Sequence, residues 1–307
     1  FLSLGKSVTL FEKNEIGENT SGIAAGLLHP YVGPRSKLQP DGIEAFLKSE
    51  KLIQEIEKSH NVQILLQKGL FRPILDEIQR KDFTKAAQSY DDIEFWSEEI
   101  ANQHYSGLFS KSGIFIKNAY VVDTKTYLRA LFSDCLQKGL NFSKKTIDSL
   151  SELNRFDLIF VCTGGEYSSI KEAENLALKV EKGQLLELEG NIDLPFSINA
   201  RAYVVPTNIP HRFITGSTRE KVFQNNLAEC AIAEPQIRKK LSALSSKFDN
   251  LKRIQVLAGL RAKSQNNRPC ILPLSEKAWY IGGMGTKGLL YHAYFSEKSL
   301  KYSLEGK

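Results

Sequence analysis

Two periods of apolar residues alternate along this 307-residue chain and set out its elements. Solid apolar runs bounded by polar residues mark buried strands, because a segment covered on both faces has no polar side to show. Residues 7–11, SVTLF, form one such run and end at Glu12. Residues 157–165, DLIFVCTGG, form another, which the pattern predicts as a central parallel strand opening into Thr163, Gly164 and Gly165. Residues 1–5 read as the last turn of a helix stopped by Gly5. Between 41 and 59 the period becomes helical, with Ile43, Phe46, Leu47, Leu52, Ile53 and Ile56 as the core stripe. Strand character returns at 62–71, residues 82–105 read as one or two short surface helices, and 112–122 as a pair of strands. Asp123 or Thr124 then caps a helix that runs through Cys135 and ends near Gly139.

In the second half, apolar runs at 180–188, 202–205 and 212–217 follow one another without a helix between them, the pattern of an antiparallel sheet. A helix at 228–244 is expected outside it. The chain then passes Gly259-Leu260-Arg261, a polar loop at 262–268, short strands at 269–274 and 279–281, and Gly282, Gly283, Gly285 and Gly288. Glycines this dense beside a strand end let a backbone approach something flat or phosphorylated, or else make a tight turn onto a C-terminal helix. The order is parallel α/β, a mixed insert, a parallel strand, an antiparallel sheet, and α/β again. Two interleaved domains are the expected result.

With 42% apolar and 25% charged residues the chain belongs among globular proteins and not among disordered ones. No apolar run approaches the roughly 18 residues of a membrane span, and no signal peptide precedes the first strand, so a cytoplasmic location is expected. Cys135, Cys162, Cys230 and Cys270 lie far apart with no C-x-x-C pair, which points to neither a disulfide scaffold nor a metal site. The net charge of +6 is carried by scattered lysines, and runs such as 238–240 read as solvated helix faces more readily than as contacts to nucleic acid.

Two stretches carry candidate chemistry. Glu12, at a strand tip, stands where the acidic residue of a dinucleotide-binding unit accepts hydrogen bonds from a ribose. Residues 20–30, TSGIAAGLLHP, combine hydroxyls with small side chains that expose backbone N–H groups. At a helix start such groups favour a pyrophosphate or another anion, although Thr20 or Ser21 could equally be the N-cap of a tightly packed helix.

VTLFEK (8–13), SGIAAGLLHP (21–30), DLIFVCTGG (157–165), KGQLLELE (182–189), YVVPT (203–207) with ITGSTRE (214–220), AGLRAKSQNNRP (258–269) and GTKGLL (285–290) stand in that order. Together they resemble the D-amino-acid oxidase superfamily of FAD-dependent oxidoreductases, in particular the glycine oxidase branch and the C-terminal oxidase domain of the bifunctional enzyme that modifies the tRNA wobble uridine. The resemblance implies an α/β fold: a Rossmann-like FAD-binding domain from residues 1–45, 112–175 and 254–307, with an interleaved α+β substrate-binding domain from 46–111 and 176–253. It departs from the family in two places. The G-x-G-x-x-G turn of the first βα unit is missing, so an open sheet edge beside 8–11 and weak FAD retention are expected. Residues 267–273, NRPCILP, also replace a D-G-x-P-x-x-G segment.

The resemblance further implies that Glu12, with Lys13 beside it, holds the adenosine ribose, and that Ser21, Gly22, Ala25, Gly26 and Leu27 line the pyrophosphate and flavin. Thr163 and Gly164 would touch FAD from the neighbouring strand. Gly285, Thr286, Lys287, Gly288 and Leu289 would offer N–H groups and a charge to the flavin edge. The catalytic candidates are Arg261, which would pair with a substrate carboxylate, and Tyr203 on the substrate wall. The implied reaction is hydride transfer from the C–N bond of a small amino-acid or amine substrate to FAD, with no metal. Two other readings are a tRNA wobble-uridine oxidase, with tRNA as partner, and a flavin-free scaffold.

Overall fold

The apolar runs assemble into three sheets in the computed structural model, which describes residues 1–108 and 111–304. β1 (Thr9–Glu12) lies parallel to β6 (Asn141–Lys144) and, among the described residues, pairs with no other strand. β7 (Ile159–Val161) runs parallel to β14 (Ala278–Gly282), which forms a hairpin with β13 (Cys270–Ser275). The expected central strand is therefore parallel but ends its sheet, and its outer side meets the start of the chain, where the Phe1 and Phe160 rings sit 5.6 Å apart.

The third sheet is long and curled. Its order is β12 (Lys252–Ser264), β8 (Leu178–Glu189), β11 (Arg212–Gly216), β10 (Tyr203–Pro206), β9 (Ser197–Asn199), β3 (Leu65–Pro73), β5 (Gly113–Val122) and β2 (Leu27–Leu28), with β4 (Ile93–Trp96) also on β5. The expected antiparallel run from 180 to 217 is present as β8 to β11. Because neighbouring residues of a strand face opposite ways, β8 divides its side chains between two layers. Leu186 and Leu188 pack with Val204, Phe213 and, from α5 (Cys230–Ser242), Ala233, Ile237 and Leu241. Glu181 and Gly183 share the other face with their cross-strand partners Arg261 and Gly259.

Several expectations change. Residues 20–26 make turns and no helix. The hydroxyl of Thr20 accepts from the edge N–H of Leu260 in β12 instead of capping a helix, and the Thr124 hydroxyl donates to the Gly22 and Ala24 carbonyls. Residues 82–105 hold the end of α2 (Glu77–Ser89), then β4, then α3 (Glu98–His104). β4 escapes the pattern because its burial runs buried, exposed, exposed, buried, without alternation. Residues 113–122 are one strand, but its pairing with β3 is irregular: Lys68 faces Tyr120 and Leu70 faces Ile116, so β5 carries two extra residues opposite Gly69 (φ 96°).

α1 (Gly42–His60) buries Ala45, Phe46, Ser49, Ile53 and Ile56, while Ile43 and Leu47 are 42% and 54% exposed. The face is chosen by α6 (Gly288–Leu304), whose Leu290 carbonyl accepts the Ser49 hydroxyl. α4 (Thr124–Gln137) starts as expected, with the Asp123 carboxylate accepting from the Thr126 N–H. No helix among the described residues is long and apolar enough to cross a membrane.

His29, just past β2, is buried with no hydrogen-bond partner for Nδ1. Burial and the nearby Arg72 guanidinium push its imidazole down to about 3. The unfolded chain takes up this proton below about pH 6.5 and the folded chain does not, so stability is complete above 6.5 and lost as pH falls toward 3. Denaturant melts at pH 7 and pH 5 should differ by about 2 kcal/mol from this group. A His29→Leu variant should lack that part of the slope, and an unchanged slope would contradict the assignment.

Candidate active site

The carboxyl ends of β1 and β7 lie side by side. Lys13, just past β1, pairs with Glu166, just past β7, at 2.6 Å. Glu12 folds its carboxylate back to accept the Asn14 N–H at 2.9 Å. Thr163 and Gly164 follow β7 and are exposed, and Gly164 (φ 57°) has nothing within 4 Å of where a Cβ would be. Cys162 is exposed too, yet enough protein surrounds it to push its thiol up to about 11 by burial.

Residues 20–28 cross from one rim of the curled sheet to the other. At one end Thr20 bonds Leu260, and at the other Leu27 and Leu28 pair with β5. Between them two glycines are required by space. A Cβ on Gly22 would stand 1.9 Å from the Gly17 carbonyl oxygen, and one on Gly26 (φ 72°) 1.9 Å from that of Val122. Ser21 is exposed, Ala25 half-buried. Leu260 joins this segment to the β7 end, since Gly165 packs so closely on it that a Cβ would meet Leu260 Cβ at 2.5 Å. Glu12, Lys13, Ser21, Gly22, Thr163 and Gly164 thus gather around the strand that carries Arg261.

Three glycines beside Arg261 lie under other side chains, Gly259 under Thr20. Gly183 and Gly259 are opposite one another on β8 and β12, and Gly216 is opposite Leu185 and Tyr203. A Cβ on Gly183 would stand 2.1 Å from Arg261 Nη2, and one on Gly216 would stand 3.0 Å from the Tyr203 hydroxyl. The missing side chains make the room in which the guanidinium and the phenol lie.

Arg261 donates through Nη2 to the Thr218 carbonyl at 3.2 Å. Among the described residues it has no carboxylate within ion-pair distance, because its cross-strand neighbour Glu181 takes Lys263 at 2.5 Å and Arg219 at 3.0 Å instead. Burial lowers the Arg261 pKa, against the pull of Tyr203 and Glu181. Burial raises the Tyr203 pKa, against the pull of Arg261, so the phenol keeps its proton.

The glycine turn closes onto the same strand. Gly285 N–H donates to the Ala262 carbonyl at 2.8 Å, and Met284 bridges to Lys263. Lys287 gives its ammonium to the Asn267 carbonyl and, at 3.4 Å, to Gln39. Thr286 is exposed, and Gly288 and Leu289 open α6. Sequence reasoning missed Glu181, Lys263, Arg219 and Glu166. For Glu181 a signal exists in a carboxylate set inside an apolar strand run; the others depend on register and on which strand ends meet.

A family model described as FAD-dependent oxidoreductase, DAO, matches residues 1–297. The chain belongs to this family. Its fold is also that of solved structures of low identity, each matched over 100% of this chain. They include glycine oxidase from Geobacillus kaustophilus (16% identity, 90% of that chain, TM-score 0.84), L-proline dehydrogenase from P. horikoshii (14%, 89%, 0.82) and L-alpha-glycerophosphate oxidase from Mycoplasma pneumoniae with FAD bound (15%, 91%, 0.76). A search of curated protein sequences found no match. This DAO-family chain is thus an FAD-dependent oxidoreductase. The neighbours' names cover an amino acid, an imino acid and a phosphate ester, so the fold leaves the substrate to the site.

The residues present fit FAD. The β7 end is open at Thr163 and Gly164, where nothing lies within 4 Å of a Gly164 Cβ, and the small residues of 21–26 run beside the strand that carries Arg261.

Proposed function

We propose that this enzyme oxidises the C–N bond of a small amino acid or secondary amine that carries a carboxylate. The observation that supports this is Arg261: a half-buried guanidinium over Gly183, with one backbone acceptor and, among the described residues, no carboxylate within ion-pair distance. Desolvating a guanidinium is costly unless an anion completes it, and a planar fork suits a carboxylate in two-point contact. The protonated Tyr203 phenol, which interacts with the Arg261 charge, would share that carboxylate. The Arg261 charge thereby fixes which end of the substrate is held.

In this reading FAD rests on the layer from residues 1–45, 112–175 and 254–307, and the substrate is walled by 46–111 and 176–253. Glu12 and Lys13 would hold the ribose end, Ser21, Gly22, Ala25, Gly26 and Leu27 would line the pyrophosphate and flavin, Thr163 and Gly164 would touch FAD from the neighbouring strand, and Gly285, Thr286, Lys287, Gly288 and Leu289 would meet the ring edge. FAD, when bound, supplies the hydride acceptor. The protein's own part is to bind, orient and exclude water.

A second reading has one observation in its favour. Lys287, Arg268 and Lys263 lie near enough together that burial and then the other two cations lower the Lys287 pKa, and Lys263 shares Glu181 with Arg219. A carboxymethylaminomethyl group on a tRNA wobble uridine presents the same amine and carboxylate on a polyanion.

One experiment tests both: anaerobic flavin bleaching with glycine or sarcosine, with methylamine or dimethylamine, and with unfractionated tRNA. The amino acids should bleach the flavin about 100-fold more efficiently than the amines lacking the carboxylate. Equal rates for the two sets would sink the carboxylate reading. Bleaching by tRNA alone, weakening steeply with salt, would favour the second.

A further inference from the structure

The site contains an acid that should spoil it. Glu181 is 8% exposed and stands directly opposite Arg261 across β8 and β12. Side chains so placed have Cβ atoms about 5 Å apart, and a carboxylate facing a guanidinium there closes into a bidentate pair. Arg261 would then be neutralised from within the protein, and a substrate carboxylate would find its seat taken.

The structure keeps the two apart by giving each another place. Glu181 Oε2 accepts Lys263 Nζ at 2.5 Å and Arg219 Nε at 3.0 Å. Lys263 is two residues beyond Arg261 on the same strand, so its side chain leaves by the same face, and its stem lies where Gly285 has no Cβ, 3.0 Å from Lys263 Cγ. Arg219 comes from the segment after β11 and reaches the same oxygen from outside. Arg261 meanwhile lies over Gly183 and donates to Thr218. Burial works to raise the Glu181 pKa, and the two cations outweigh it, so the acid stays ionised and needs a partner.

We propose that Lys263 and Arg219 are positioning residues that hold the Glu181 carboxylate off Arg261, so that the guanidinium stays open to the carboxylate of the substrate. The inference rests on the carboxylate role proposed for Arg261. Lys263 sits behind Glu181 and carries most of the effect; Arg219, whose side chain is 65% exposed, carries less because water screens it.

The test uses the FAD-loaded enzyme and glycolate, a carboxylate without the reacting amine, titrated calorimetrically beside kcat and KM for the best amino acid. Lys263→Met should weaken glycolate binding about 10-fold and raise KM alike, with kcat within about twofold. Lys263→Arg should stay within about twofold of the parent, and Arg219→Met should weaken binding about threefold. Glu181→Gln should bind at least as tightly as the parent, and the double variant Lys263→Met, Glu181→Gln should return to within about twofold of it, because the competing carboxylate is gone.

Parent-like binding by Lys263→Met overturns the proposal, as does a double variant as weak as the single one, which would show that Lys263 acts on the ligand itself. Arg261→Met separates this from the underlying reading. If it binds glycolate as the parent does, the role of Arg261 is wrong; if it loses glycolate while Lys263→Met does not, only the present inference falls. Should Lys263→Met not fold, Arg219→Met with and without Glu181→Gln gives the same comparison from an exposed position.

Discussion

Arg261→Met should lower kcat/KM for an amino-acid substrate by about 1000-fold, roughly 4 kcal/mol, while leaving the fold intact. Both halves follow from what the side chain touches. Among the described residues its side chain makes one hydrogen bond, to the Thr218 carbonyl at 3.2 Å, so its loss removes little from stability. With a substrate in place it would be the desolvated partner of a charge, and truncating one member of such a pair strands the other. Most of the loss should appear in KM, with a thermal midpoint within a few degrees of the parent. Arg261→Lys should recover only part, since an ammonium restores the charge and not the planar fork. A kcat/KM within tenfold of the parent for Arg261→Met would refute the role.

Gly26→Ala should instead damage the fold. Its Cβ would stand 1.9 Å from the Val122 carbonyl oxygen and 2.9 Å from the carbonyl carbon, both backbone atoms of β5. Neither can swing aside as a side chain could, and the Val122 N–H is held in turn by the Gly26 carbonyl at 2.8 Å. The φ of 72° adds the strain of a left-handed alanine. We expect a loss of about 3–5 kcal/mol, a fall of roughly 10 °C in midpoint for a chain of this size, and weakened FAD binding. Gly139→Ala is the control: φ is also positive, at 89°, but nothing lies within 4 Å, so about 1 kcal/mol should go. Equal effects at 26 and 139 would show that backbone strain, and not the collision with β5, governs the site.

The sequence is read best where structure is local. α1 and α4 follow from apolar spacing and caps, and β8 to β11 from short runs without helices between them. It is read worst where a segment's partner is far away. Residues 20–26 look like a helix start because small residues and hydroxyls cap helices, but here they meet Leu260, 240 residues on, and the head of α4. Ile43 and Leu47 fit a helical stripe as well as Phe46 does, and only the position of α6 decides which face is covered. The motif pieces brought Arg261, Tyr203 and the glycines into view. Glu181, Lys263 and Arg219 stayed hidden, since what relates them is the register of β8 against β12 and the path of the loop after β11.

The segment from Thr20 to Leu28 is fastened to both rims of the curled sheet, at Leu260 and at β5. It therefore ties the two edge strands, β12 and β2, to each other through a few residues of chain. A residue inserted or deleted between 21 and 26 is thus felt at both edges of the sheet at once.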